Sequence, residues 1–164
     1  MAAARFAAWM AAGFLGLEVF SYAMHRWVFH GILWRIHRTH HVSRHGRFEW
    51  NDGFSVLFAG LAIGLLWAGF REPFGPPWFA LGAGITAYGG VYFVVHDLFT
   101  HRRFAAFASD NRALNMLRRA HLRHHQSAEL PGQEPYGLFL VPFREHWRPP
   151  ARRSDHPPEA DAPS

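Results

Sequence analysis

Three nearly uncharged apolar stretches constrain this chain of 164 residues more than any other feature. Residues 6–24 read FAAWMAAGFLGLEVFSYAM and carry one charged residue, Glu18. Residues 54–70 (FSVLFAGLAIGLLWAGF) and 78–95 (WFALGAGITAYGGVYFVV) carry none. A bilayer core of roughly 30 Å needs about 20 mainly apolar residues in a helix, and all three stretches sit near the lower limit. Three such runs in so short a chain leave too little polar sequence to wrap them as buried helices. The chain therefore reads as one all-α integral membrane domain of about three spans. A cleaved signal peptide with Arg5 as its basic flank is the alternative for the first stretch. Glu18 and the direct run into Tyr22, His25 and His30 oppose it.

The second and third stretches are joined by REPFGPP, residues 71–77, whose three prolines and one glycine predict a turn. They form a tight hairpin. Gly60 and Gly64 in one span, and Gly82, Thr86 and Gly90 in the other, are small residues at helical spacing, which let membrane helices approach closely. The cations set the orientation. All are arginine, 17 in number with no lysine, and only Arg5 and Arg71 lie outside residues 26–47 and 102–153. With three spans those two segments share one side. By the positive-inside pattern this side is cytoplasmic and the N-terminus lies outside the inner (cytoplasmic) membrane. The net charge of +5 thus reports topology, not nucleic-acid binding. The apolar run GLFLVPF at 137–143 is too short to span; it packs on the domain, lies at the interface or forms a fourth, re-entrant segment. Residues 1–143 form the domain, and the Pro/Arg-rich residues 144–164 read as a disordered tail.

Ten of the 13 histidines fall into four clusters: His25/His30, His37/His40/His41, His96/His101 and His121/His124/His125. Their spacings are HxxxxH, HxxHH, HxxxxH and HxxHH. His45, His146 and His156 remain as bystanders. All four clusters fall on the arginine-rich side, so they can converge as a histidine-rich cap. On a helix, positions i, i+3 and i+4 share one face, so each HxxHH presents three imidazoles together. Over 110–126 the histidines extend the apolar stripe of Leu114 and Leu117, while Arg112, Arg119 and Arg123 point away and Arg118 does not fit. In HxxxxH the two residues lie about 140° apart on an α-helix. Either those helices are distorted or the two histidines serve different ions.

Imidazole suits first-row metals. With four to six ligands per ion, ten histidines point to two ions. The absence of cysteine excludes thiolate sites and Cys nucleophiles. A haem uses only one or two axial histidines, and a purely structural zinc pair is the remaining metal alternative. Neutral imidazoles call for acidic partners behind them. Glu18 (with Tyr22 between it and His25), Glu49, Asp52 and Asp97 are the candidates. No catalytic group is indicated beyond the metal centre, because no Ser/His/Asp or Cys arrangement is present.

The segments HRWVFHG (25–31), HRTHH (37–41), RFEWND (47–52), VHDLFTH (95–101), AHLRHH (120–125) and YGLFLVP (136–142) resemble the membrane fatty acid hydroxylase / sterol desaturase superfamily. More narrowly they look like its bacterial-type β-carotene hydroxylases, with HDLFTH standing where that family usually reads HDGLVH. The likeness runs over about residues 10–145. It implies a nonhaem diiron monooxygenase with the ten clustered histidines as iron ligands. The implied reaction is O₂-dependent hydroxylation of the β-ionone ring of an apolar carotenoid, from β-carotene through cryptoxanthin to zeaxanthin. Two electrons per turnover are then needed. No GxGxxG is present, so an external donor is implied, such as a ferredoxin with its reductase. Two other readings stay open: a fatty acid or sterol hydroxylase or desaturase of the same superfamily, and a non-catalytic membrane metal-binding protein.

Overall fold

The computed structural model describes residues 2–42, 48–71, 73, 75–104, 107–126 and 133–142. The arginines at 44, 47, 144, 148, 152 and 153, the histidines at 45, 146 and 156, and the tail at 144–164 lie outside the described residues. Among those described there are helices and no strands. The elements are α1 (Ala3–Ala23) running into a π-helical segment (Met24–Ile32), α2 (Trp34–His41), α3 (Asp52–Ala68), α4 (Pro76–Tyr92) running into a second π-helical segment (Phe93–Thr100), and α5 (Arg112–Gln126).

Two of these, Ala3–Ile32 and Pro76–Thr100, are long and apolar enough to cross a membrane, whereas the third apolar helix, Asp52–Ala68, has 17 residues. At 1.5 Å per residue it is about 25 Å long, short of a full hydrocarbon core. Its outer face is nonetheless apolar and uncovered: Val56 is 72% and Leu57 66% exposed, much as Leu15 (63%) is on α1. At its end the Arg71 guanidinium lies 4.6 Å from the centroid of the Trp67 ring.

Helix α4 is central. It packs on α1 along one side and on α3 along the other. Glycines make the approach possible: a Cβ on Gly84 would lie 2.0 Å from the Met10 carbonyl oxygen, and one on Gly13 2.4 Å from that of Leu81. In the hairpin, Gly82 meets Leu66, while Gly60, Gly64 and Gly90 have nothing within contact distance. The small-residue spacing thus found the right helices but only one of the glycines that close them. The turn before α4 uses Gly75 at φ +70°, followed by Pro76 and Pro77 in the first turn, where their missing N–H groups cost nothing. Helices α1 and α3 meet each other through rings, Phe20 on Phe58 (6.0 Å) and, beyond α1, Phe29 on Phe54 (3.9 Å).

Where the apolar spans end, a buried cluster of Leu17, Tyr88, Val95, Met116, Leu117, Ala120, Leu138 and Val141 seats α5 and the segment 133–142 on the bundle. Residues 136–142 pack on the domain, with Tyr136, Gly137, Leu138 and Val141 buried. Helix α5 begins where the Asn111 side chain accepts the N–H groups of Ala113 and Leu114, an N-cap. It buries Met116, Leu117, Ala120 and His124; of the expected stripe, Leu117 and His124 are buried and Leu114, His121 and His125 half-buried, with Arg119 and Arg123 exposed. Arg118, which fits neither face, lies with its guanidinium 5.7 Å from the Phe99 ring centroid.

Candidate metal centre

The two π segments answer the HxxxxH question. A π-helix bonds i to i+5, so residues five apart stack on one face instead of diverging. The His101 N–H donates to the His96 carbonyl at 2.9 Å, and Leu33 N–H to Val28 at 2.9 Å. The helices are distorted, and the members of each HxxxxH pair join the same group. Near the end of the first segment Gly31 takes a non-helical conformation (φ −124°, ψ −115°) that turns the chain into α2.

The histidines converge as two groups. His25, His30, His37, His41 and His124 form one; His40, His96, His101 and His121 form the other; within each, the ligand nitrogens all lie within 4.8 Å of one another. Each HxxHH therefore splits between the groups. His125 sits between them, its ring stacked on His41 (4.4 Å) and 4.6 Å from both His40 and His121. Its Nε2 is buried without a hydrogen-bond partner.

The protons on these rings show why a cation fits. His25 Nδ1 lies 2.7 Å from the Tyr136 carbonyl oxygen and His37 Nδ1 2.7 Å from Asn51 Oδ1. Those oxygens only accept, so both Nδ1 atoms carry the proton and both Nε2 atoms present lone pairs. The two Nε2 atoms are nevertheless 2.9 Å apart. In the second group His40 Nδ1 donates to Glu49 (2.9 Å) and His96 Nδ1 to Asp97 (3.3 Å), and their Nε2 atoms face each other at 3.1 Å. A second proton is not at hand. Burial holds His37 down to about 4 and His40 well below the ordinary histidine range, with the neighbouring histidines adding to the effect at His40. Burial pushes His121, His124 and His125 down as well. Lone pairs aimed at lone pairs inside a buried, neutral cluster are the donor set of a metal ion. Two groups of four and five donors, with His125 able to complete either, suit two ions.

The residues expected behind the ligands divide. Glu49 and Asp97 do bond histidine Nδ1 atoms. Asp52 does so at one remove: it accepts the Glu49 N–H (2.9 Å) and two bonds from the buried Arg103 (2.8 and 2.6 Å), which also donates to Asp97 (2.6 Å). Glu18 is a correction. Its oxygens take the Tyr88 hydroxyl (2.6 Å) and the N–H groups of Leu138, Phe139 and Leu140 (3.3, 2.8 and 2.7 Å). Its carboxylate fastens the segment whose Tyr136 carbonyl holds His25, so it serves the site from a distance. Tyr22 does the same, donating to Glu134, which is also paired with Arg26 at 2.8 Å. Arg103, Asn51 and the carbonyls of Gln133 and Tyr136 were not anticipated. The Gln133 carbonyl accepts from His124 Nδ1. In the sequence Arg103 is one of ten arginines in residues 102–153 with nothing to single it out, and backbone carbonyls leave no sequence signal.

A cavity of about 460 Å³ reaches the histidines from the apolar half. His25, His37, His40, His96 and His121 line one end, and Ala62, Ile63 and Leu66 the other. From Phe54 to Leu66 on its α3 wall is about 18 Å along the helix. Phe29, Phe58 and Ile85 make the sides, and Tyr92 lies there stacked on His96 at 4.4 Å.

The fatty acid hydroxylase family model matches residues 10–144. The chain belongs to the fatty acid hydroxylase family. Within reach of that family, it is 35% identical over 161 residues to a β-carotene hydroxylase of Pseudescherichia vulneris, covering 92% of this chain and 90% of the relative. It is 36% identical over 129 residues to the β-carotene hydroxylase of Pantoea ananas, covering 78% of this chain and 73% of the relative. It is 40% identical over 131 residues to the chloroplastic β-carotene 3-hydroxylase 1 of Arabidopsis thaliana, covering 78% of this chain but 42% of that longer protein. No solved structure matches it. The matched span of this fatty acid hydroxylase family member contains all ten clustered histidines and every residue found behind them.

Proposed function

We propose that this chain hydroxylates the β-ionone ring of carotenoids, using O₂ and two iron ions held by the ten clustered histidines. One observation carries the reading: a mainly apolar cavity, suited to a hydrocarbon substrate, ends on two groups of convergent imidazoles. The bacterial and plant relatives, which are β-carotene hydroxylases, support the choice of substrate. When bound, the two ions would supply O₂ activation and hydrogen removal from an unactivated CH₂.

The chain's own residues then have three tasks. The Nδ1 bonds of His25, His37, His40 and His96 fix ring orientation and keep each Nε2 deprotonated and aimed inward. Phe29, Phe54 and Phe58 line the cavity beside the histidines and give an apolar ring a surface to pack on. The 18 Å or so of wall beyond leaves room for a stretch of polyene lying among membrane-depth residues. No side chain beyond the metal centre is needed as base or nucleophile. Electrons come from an external donor such as a ferredoxin with its reductase, docking on the arginine-rich face. That face is cytoplasmic in this reading, with residues 1–143 as the inner-membrane domain and 144–164 as its tail.

Expression in a β-carotene-producing host, read by pigment chromatography, tests the proposal. Cryptoxanthin and zeaxanthin should appear. Fully metal-loaded protein that leaves β-carotene unchanged would redirect the reading to a fatty acid or sterol substrate of the same family. Two zinc ions after iron-replete growth, with no O₂ consumption, would remove the enzyme reading altogether.

A further inference from the structure

The two histidine groups are built on different kinds of support. In the group of His25, His30, His37, His41 and His124, three Nδ1 atoms donate to uncharged oxygens, those of Tyr136, Asn51 and Gln133. The Nδ1 atoms of His30 and His41 are buried with no hydrogen-bond partner. Glu134, next to Gln133 in the chain, pairs with Arg26 and Tyr22 and bonds no ring nitrogen of this group among the described residues. In the group of His40, His96, His101 and His121, two Nδ1 atoms donate to carboxylates, Glu49 and Asp97. Those carboxylates are themselves fixed. Arg103, 7% exposed, bonds Asp97 and both oxygens of Asp52, and Asp52 holds the Glu49 backbone. The second group thus has carboxylates bonded directly to its ring nitrogens, and the first has uncharged oxygens in that place.

A carboxylate behind an imidazole raises its basicity as a ligand, and loss of such a partner typically costs about 10–100-fold in metal affinity. A carboxylate one ring away from a divalent cation also attracts it directly. From this asymmetry, and resting on the two-ion reading above, we infer that the two metal positions are inequivalent: the carboxylate-backed group of His40, His96, His101 and His121 is the tight, first-filled site, and the carbonyl-backed group is the weak, second-filled one. Arg103 is a positioning residue for the tight site. Charge attraction alone does not explain its placement, since a cation there opposes the metal's charge; its three carboxylate bonds hold the acids in register.

The test is titration of the metal-stripped full chain, in detergent micelles, with Co(II), read by the visible absorption of histidine-bound cobalt and by equilibrium dialysis. Two steps are expected, with the first about 10–100-fold tighter. Glu49→Gln should weaken the first step by a similar factor and leave the second unchanged. Asn51→Leu should weaken the second and leave the first unchanged. Arg103→Lys, which keeps the charge but not the forked geometry, should broaden the first-step spectrum more than Arg103→Lys alters the second. Two equivalents bound with equal affinity would overturn the inference and leave the two-ion reading standing, as would a Glu49→Gln effect on the second step. Fewer than two equivalents bound would overturn both.

Discussion

Helices α1 and α4 pack together under one rule and end under another. In the apolar half they touch backbone to backbone, with no room for a Cβ at Gly13 or Gly84. At the other end both widen into π segments and each aims two histidines inward, every ring held by a particular acceptor or neighbour. The apolar half is specified by what is missing and is tolerant wherever it faces outward. The histidine end is specified by what each nitrogen is bonded to. The largest effect should therefore follow from removing a ligand whose second nitrogen is also tied down. His124 is fully buried, with Nδ1 bonded to the Gln133 carbonyl and Nε2 3.1 Å from that of His30. His124→Ala should abolish hydroxylation and lower the bound metal, checked by pigment chromatography and metal analysis. Retention of both would break the ligand assignment.

A steric test follows for the apolar half. Gly84→Leu places a side chain where a Cβ already lies 2.0 Å from the Met10 oxygen, which only separation of α1 and α4 can relieve. Overpacking of this kind typically costs about 1–3 kcal/mol and occasionally more. Folded protein recovered from membranes should fall sharply. Gly64→Leu, on a face with nothing within contact distance, should be recovered like the parent. Equal loss in both would mean that α3 also packs through that face.

The apolar half was largely legible in advance, because hydropathy and helix length are local properties. The HxxHH faces were legible for the same reason: 3.6 residues per turn is enough to place His121, His124 and His125 on the stripe of Leu117. The π segments were not, since nothing in HRWVFH or HDLFTH distinguishes i+5 bonding from a break in the helix; the distinction shows only where each pair joins one histidine group. Glu18 was misplaced by the same locality. Helical spacing aimed it along the His25 face, while its actual partners are N–H groups some 120 residues later. Glu18→Gln tests that role. One amide end would meet donors with a donor, and a spoiled buried bond costs about 1–3 kcal/mol. The melting temperature should drop, with ferrous ion affinity falling as the Tyr136 segment loosens. A drop in iron affinity at unchanged stability would instead place Glu18 on the metal.

Acid should act on the histidine end alone. His37 is held down to about 4 and His41 to about 2 by burial first. Between the ordinary histidine value near 6.5 and those lowered values, the unfolded chain binds protons that the folded chain refuses, so stability rises with pH across that window. The metal-free protein should melt at a lower temperature at pH 5 than at pH 7.5. Replacing His41 by Gln should flatten the dependence. A metal-free protein indifferent to pH over this range would mean that the imidazoles are more hydrated than their burial indicates.

The smallest expected effect separates packing from charge on α5. Arg118 lies on the inward-leaning side of the helix, yet its guanidinium is over Phe99, a fully buried ring within the His96–His101 segment. A partly desolvated cation–π contact is worth about 1 kcal/mol, and the stem of the side chain covers apolar surface besides. Arg118→Met keeps the stem and loses the charge, whereas Arg118→Ala loses both. If the ring contact matters, Met should cost about 1 kcal/mol and Ala somewhat more in thermal unfolding, with metal content unchanged in both. If Met is neutral and Ala is not, Arg118 is an apolar spacer that happens to end in a charge, and the histidine end relies on charge only at Arg103 and its acids.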